Sequence, residues 1–156
     1  MNNSVVYQPA AAHRFSVTFF FGRLLVPNIL DCAFQSISGL SRELDVSVHS
    51  EGGENIRNQY FAGKLQHGSL RLERGVMVLT PLSAMFNWQL TTGKLMYLHA
   101  VITLFDLGPL PLCNWLIVKA LPVGWQTGTL DANSNTVLIN TLELRYQEMI
   151  PLGLKL

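Results

Sequence analysis

The chain has 156 residues, a length that suits one domain with a core of its own. Its formal net charge is +1, which offers no electrostatic footing for nucleic acid or an anionic membrane. Hydrophobic residues make up 49% and charged residues only 13%, against about 25% charged in an ordinary soluble domain, so either an oligomer or an unusually large core has to absorb apolar surface.

Residues 1–12 read as a flexible arm, without the basic start and apolar centre of a secretory signal. A strand is expected from Arg14 to Gly22, with Phe15, Val17, Phe19 and Phe21 on one face. Pro27 breaks the next segment, and a strand around Cys32 to Ile37 leads through Gly39 into Arg42 to His49. There Leu44, Val46 and Val48 alternate with Glu43, Asp45, Ser47 and His49. Period-two alternation gives a strand one apolar and one wet face. Residues 50–68 form the longest polar stretch, with Gly52, Gly53, Asn55, Asn58 and Gly63 surrounding Ile56, Tyr60 and Phe61. A loop of that length is usually functional, and its apolar residues suit a partner surface.

Another amphipathic strand follows at Ser69 to Arg74, with Leu70 and Leu72 against Ser69, Arg71 and Glu73. One helix is predicted next. Thr80 caps it, Pro81 opens it, Leu82, Met85, Phe86 and Leu90 share its apolar face, and Gly93 ends it. Strands are expected at Leu95 to Asp106, apolar on both faces and so covered on both, and at Leu112 to Lys119, after a turn at Pro109 and Pro111. The last strand, Thr136 to Tyr146, follows the polar turn Leu130 to Asn135. Leu138, Leu142, Leu144 and Tyr146 point one way, and Thr141, Glu143 and Arg145 the other. The fold class is mainly β with one helix, a β-sandwich or open barrel.

Catalytic and metal chemistry find little support. His13, His49, His67 and His99 lack metal-site spacing, with His99 read as a core histidine, although His49 and His67 could meet across a hairpin near Cys32 or Asp45. Glu51 and Glu54 sit in an open loop with nothing to desolvate them. Cys32 and Cys113 read as two small buried thiols. No nucleophile elbow or phosphate-binding loop is present. The expectation is therefore no enzyme, no cofactor and no metal. Trp88 and Trp115 read as core or interface anchors, Trp125 stands too far from both for a stacking platform, and sequence-specific nucleic-acid binding is not expected. The apolar run Leu95 to Leu104 is too short to cross a bilayer, so no membrane insertion is expected.

Several pieces in joint order resemble a known family. They are Phe15-Ser16-Val17, Phe34-Gln35-Ser36-Ile37-Ser38-Gly39-Leu40, Glu51-Gly52-Gly53-Glu54-Asn55 and Leu70-Arg71-Leu72-Glu73-Arg74-Gly75. Phe86-Asn87-Trp88, Pro122-Val123-Gly124-Trp125, Leu130-Asp131-Ala132, Ser134-Asn135 and Leu142-Glu143-Leu144 continue the series. From about Arg14 to Glu148 the chain resembles the tail tube proteins of contractile phages and of phage-derived extracellular injection particles, with the type VI secretion tube protein a more distant relative. Three features depart from the pattern: apolar Val76 to Leu79, a proline-rich turn after Asp106, and a longer end from Met149 to Leu156. They would suit a specialised ring, such as the first one on the baseplate spike.

The resemblance implies a tail-tube domain over residues 13–148 with a C-terminal extension at 149–156. It further implies a homo-hexameric ring whose strands close one β-barrel around a channel. Rings would stack inside a sheath, with adjacent rings, sheath subunits, baseplate spike or hub proteins and lumenal cargo as partners. Assembly would occur in the bacterial cytoplasm, within a phage tail or a released extracellular particle. On this reading the lumen is lined by Glu43, Asp45, Ser47, Ser69, Arg71, Glu73, Thr141, Glu143 and Arg145, four negative and two positive charges among them. The ring-stacking loop carries Glu51, Gly52, Gly53, Glu54, Asn55, Ile56, Tyr60 and Phe61. The competing expectation is a monomeric β-barrel binding a small apolar ligand among Phe19, Phe20, Phe21, Tyr97 and Phe105.

Overall fold

Alternation between apolar and polar residues governs several strands of the computed structural model, which describes residues 14–21, 27–28, 34–49, 53, 58–75, 80–105, 110–133 and 137–153. The elements in chain order are β1 (Phe15–Phe21), β2 (Pro27–Asn28), β3 (Ser36–Ser38), β4 (Arg42–His49), β5 (Gln59–His67), β6 (Ser69–Gly75), α1 (Pro81–Thr92), β7 (Leu98–Phe105), β8 (Pro111–Thr127), β9 (Ile139–Arg145) and β10 (Glu148–Leu152). The expected arm at residues 1–12 lies outside the described residues, as does Cys32.

The main sheet is antiparallel, in the order β2-β1-β7-β8-β9-β6-β3, with β10 added to β8. The long strand β8 serves both arms of this sheet. Its first part pairs with β7 and β10, and its second part pairs with β9. Between them Lys119 takes a left-handed conformation, φ 49°, at an irregularity in the β7–β8 register. One core fills the space between the arms. β1, β7 and β8 supply Val17, Phe19, Leu98, Ala100, Ile102, Ile117 and Ala120, while β6 and β9 supply Leu70, Leu72, Leu142 and Leu144. Burying a Leu or Phe side chain fully stabilises by about 1.5–3 kcal/mol, so these contacts hold the two arms as one body.

The helix begins and ends where its capping residues put it. Thr80 accepts the Ser83 N–H at 3.4 Å, the Thr80 N–H donates to the Ser83 hydroxyl at 2.9 Å, and Gly93 closes the helix at φ 66°. Its buried stripe is Leu82, Phe86 and Gln89; Leu90, expected inward, is 66% exposed. At 3.6 residues per turn Gln89 lies about 20° from Leu82 around the axis, and Leu90 about 80° away. Gln89 is accommodated because its Nε2 donates to the Pro122 carbonyl at 3.2 Å.

Several expectations are corrected by the described structure. The second half of the expected 50–68 loop is β5, paired with β4. Its alternation is weak, and Gly63 sits against the Asp45 backbone where the register slips. β8 runs on through Pro122 and Gly124 to Thr127, because Pro122 lies at a bulge where a missing N–H does not break the ladder. Met149 to Leu152, the start of the expected extension, are paired into the sheet. With Glu148 they form β10, Met149 lies in the core, and Pro151 sits in an edge strand. The other face of β7, carrying His99, Val101, Thr103 and Phe105, is only half-buried, so a single chain covers one face of that strand and not both. His99 lies on this half-buried face rather than in the core, its Nδ1 accepting the Lys119 N–H at 3.4 Å.

Candidate functional site

Strand register decides which side chains share a surface. On the arm formed by β6, β9 and the end of β8, Ser69 faces Arg145, Arg71 faces Glu143 and Glu73 faces Thr141. Their neighbours Leu70, Leu72, Leu142 and Leu144 turn into the core. The β8 end adds Leu121 beside Arg145, Gly124 beside Glu143 and Gln126 beside Thr141. β3 contributes Ser36 beside Glu73 and Ser38 beside Arg71. Six of the nine residues predicted for a wet wall therefore share one continuous face of one sheet. Its charges are loosely matched. Arg71 Nη2 lies 3.9 Å from Glu143 Oε2, and the Ser36 hydroxyl donates to Glu73 Oε2 at 2.8 Å. An ion pair this exposed adds little stability, so the face is hydrated rather than clamped.

The other three, Glu43, Asp45 and Ser47, stand on a separate two-stranded ribbon, β4–β5. β3 and β6 lead into it in one register, since Ser38 pairs with Arg71 and Arg42 with His67. The joint is tight. Gly39 has φ 86°, and a Cβ there would overlap the Ser69 carbonyl. β4 is exposed on both faces, and so is β5 as far as Gln66. One face of the ribbon carries Leu44 and Leu65, Val46 and Ala62, and Val48 and Tyr60 as cross-strand pairs. Leu44 is 52% exposed and Tyr60 65%. Phe61 pairs with Ser47 on the opposite face, its ring 6.0 Å from that of His49. Tyr60 and Phe61 thus belong to a strand rather than to a loop, and they point to opposite sides. Gly53 lies in a turn with φ 107°; Glu51, Gly52, Glu54, Asn55 and Ile56 lie outside the described residues. A two-stranded ribbon is marginal alone in water, and an apolar ribbon face with nothing on it is an association surface.

His49 and His67 do not meet. His49 pairs with Gln59 and His67 with Arg42, at opposite ends of the ribbon. Among the described residues no three His, Cys, Asp or Glu side chains gather as metal ligands. Cys113 is free and half-buried, and burial pushes its thiol above the usual range. The aromatic residues offered for a ligand cavity are divided too: Phe19 is in the core, while Phe20 pairs with His99 on the other face.

One structural feature escaped the sequence reading. Arg74 is buried, its Nη2 donating to the Thr80 hydroxyl at 3.0 Å. Its guanidinium lies 5.5 Å from the Phe34 ring centroid and 5.6 Å from that of Trp125. The Trp125 ring in turn packs 5.8 Å from Phe86 of α1. This cation between two aromatic faces ties β6, β8 and the start of the helix together. The signal was in the sequence: Arg74 continues the apolar register of Leu70 and Leu72, where a charged side chain needs a partner.

A hydrated sheet face and an exposed apolar ribbon describe a subunit built to assemble. The family model described as T4-like virus tail tube protein gp19 matches residues 11–150, and the chain belongs to that family. It is a structural subunit of the inner tube of a contractile injection machine. Three solved structures are similar. A chain of the anti-feeding prophage (AFP) baseplate, determined by cryo-EM and six-fold symmetrised, is 53% identical with a TM-score of 0.88, over 96% of this chain and 99% of that one. A chain of the PVC extracellular contractile injection system sheath–tube complex is 22% identical with a TM-score of 0.77, over 96% and 95%. A chain of the AFP tube-terminating cap is 24% identical with a TM-score of 0.74, over 97% and 95%. No curated protein matches the chain.

Proposed function

We propose that six copies of this chain close a ring around a channel, as the first tube layer above the baseplate of an extracellular injection particle. The observation that carries this is the pairing of one hydrated sheet face with an exposed apolar ribbon in a chain that is 53% identical to an AFP baseplate subunit. Closing the ring pairs open sheet edges, which a lone protomer would leave as an aggregation hazard. It turns Ser69, Arg71, Glu73, Thr141, Glu143 and Arg145 toward water in the lumen, and Glu43, Asp45 and Ser47 extend that wall along the ribbon. Six-fold symmetrisation of the AFP baseplate supports the copy number. The layer is supported by identity: 53% to a baseplate chain of AFP, but 24% to a cap chain of the same particle.

The role is mechanical. The tube carries cargo, contacts baseplate hub proteins below, and meets the next ring and the sheath around it; no reaction is catalysed and no cofactor is held. The tail-tube domain runs from residue 13 to 148, and the extension at 149–156 begins within β10, which lays it against β8. The particle assembles in the bacterial cytoplasm and is then released. The ribbon and the residues at its tip make the ring-to-ring contact. Deletion of residues 54–62 should leave soluble rings or monomers that do not stack; normal tubes from that deletion in electron micrographs would remove the ribbon from the stacking contact.

A further inference from the structure

Beside the base of the β4–β5 ribbon, where β9 and β10 part along β8, lies an open groove of about 440 Å³. Tyr97, Lys119, Leu121, Arg145, Tyr146 and Gln147 line it. Two cations on an aromatic and aliphatic floor need an explanation. Among the described residues the single side-chain ion pair is Arg71–Glu143, so neither Lys119 nor Arg145 has an acidic partner among them. Lys119 is fixed at the rim by its left-handed backbone in the β8 bend.

The opposite end of the same ladder carries an exposed turn. Ser69, Arg145 and Leu121 form one terminal row of the arm, and the ribbon leaves from that row. Gly75, Ile139 and Thr127 lie at the other end, closed by the Gly128 N–H donating to the Ile139 carbonyl at 2.8 Å. At about 3.4 Å per residue the two ends stand roughly 20 Å apart. Beyond the second end projects the turn Leu130–Asn133. Leu130 is 80% exposed, and Asp131 Oδ1 accepts the Asn133 N–H at 2.9 Å, which fixes the carboxylate at the tip.

We infer that the Leu130–Asp131 turn of one copy seats in the Lys119–Arg145 groove of a copy in the adjoining ring. The occupant is a second copy of this chain because acceptor and donor lie at opposite ends of one ladder. Repeated contacts between such ends join copies head to tail and leave both outer ends free, the requirement for axial stacking. Asp131 meets Lys119 and also Arg145, which stands in the terminal row where the lumenal face reaches the joint, and Leu130 covers Leu121 and Tyr97. This inference rests on the proposal that rings of this protein stack, and it names the site at which they do so, beside the ribbon contact.

Charge reversal tests it on the full chain, with stacking read by sedimentation velocity and negative-stain micrographs. Asp131→Lys alone should raise the concentration at which rings stack on the order of tenfold or more, because like charges would face each other across the joint. Lys119→Glu with Arg145→Glu should do the same, and the three changes together should restore stacking. Asp131→Asn, which keeps the turn's hydrogen bond, should give a smaller loss, so a misfolded turn is distinguished from a lost charge. Stacking of all variants like the parent would overturn the inference while leaving the ring reading intact. Loss in the single variants without rescue in the triple would also overturn it. A parent chain that stays monomeric at every concentration would overturn both readings.

Discussion

Tyr146 follows β9 immediately, yet its hydroxyl reaches the Gly39 and Ser41 carbonyls at 3.1 and 3.0 Å. It thereby holds the joint between β3 and the ribbon against the body of the protomer. Burial pushes its phenol above the ordinary range, only partly offset by a backbone hydrogen bond from Ser41 and the charge of Arg42. The folded state therefore prefers the neutral phenol. Its contribution is fully present below the unfolded value of about pH 10, and is lost as pH rises from there through the folded value. Tyr146→Phe should cost about 1 kcal/mol in denaturant unfolding at neutral pH. It should also lose the part of the alkaline destabilisation that belongs to this group. An unchanged midpoint at neutral pH would show that the tie carries no stability. Tyr146 was legible in the sequence as a core residue by alternation, but its partners sit more than 100 positions away and left no local trace. Arg74 was the reverse case. Its apolar register was visible in Leu70-x-Leu72-x-Arg74, while the partners Phe34 and Trp125 could only be found by folding the chain.

At the scale of elements, the strands with clean alternation were the ones the sequence revealed. β4, β6 and β9 fall within a few residues of the expected ranges, and α1 is bounded by its own caps. β5, the second part of β8 and β10 were hidden by Gly63, by Pro122 with Gly124, and by Pro151, residues that normally mark turns. In each case a bulge or an edge position lets the strand keep a residue that would break a central ladder. The ribbon gives the sharpest element-level prediction. Val46 and Val48 lie on its apolar face, half exposed and paired with Ala62 and Tyr60. Changing both to Thr keeps the branched shape that strands favour and removes apolar surface. Folding stability should move by less than about 1 kcal/mol, as for other exposed positions. Association should weaken far more, because each Val buried between copies is worth roughly 1.5–3 kcal/mol and the contact repeats around the ring. Light scattering and a thermal melt on the same sample check both halves; a large drop in melting temperature with unchanged mass would place this face inside the protomer's own stability instead.

For the whole molecule, low charge content and a mixed surface find one explanation in assembly. The two arms share one core of fully buried side chains within a single protomer. What remains uncovered is peripheral: the ribbon, the half-buried face of β7, and exposed Trp88 and Leu90 on a helix without a single charged residue. Those surfaces suit neighbours in a ring, a stack and a sheath, whereas the β6–β9 face suits water. Composition alone had left an oligomer and an oversized core as alternatives; the uncovered ribbon favours the oligomer.

The most direct measurement is a cryo-EM map of the purified particle at the junction of tube and baseplate. The account predicts a ring of six copies of this chain, with Arg71, Glu143 and Arg145 directed into the channel and the ribbon reaching a neighbouring ring. A map placing those three side chains on the outer surface of the tube, or showing this chain outside any ring, would contradict it.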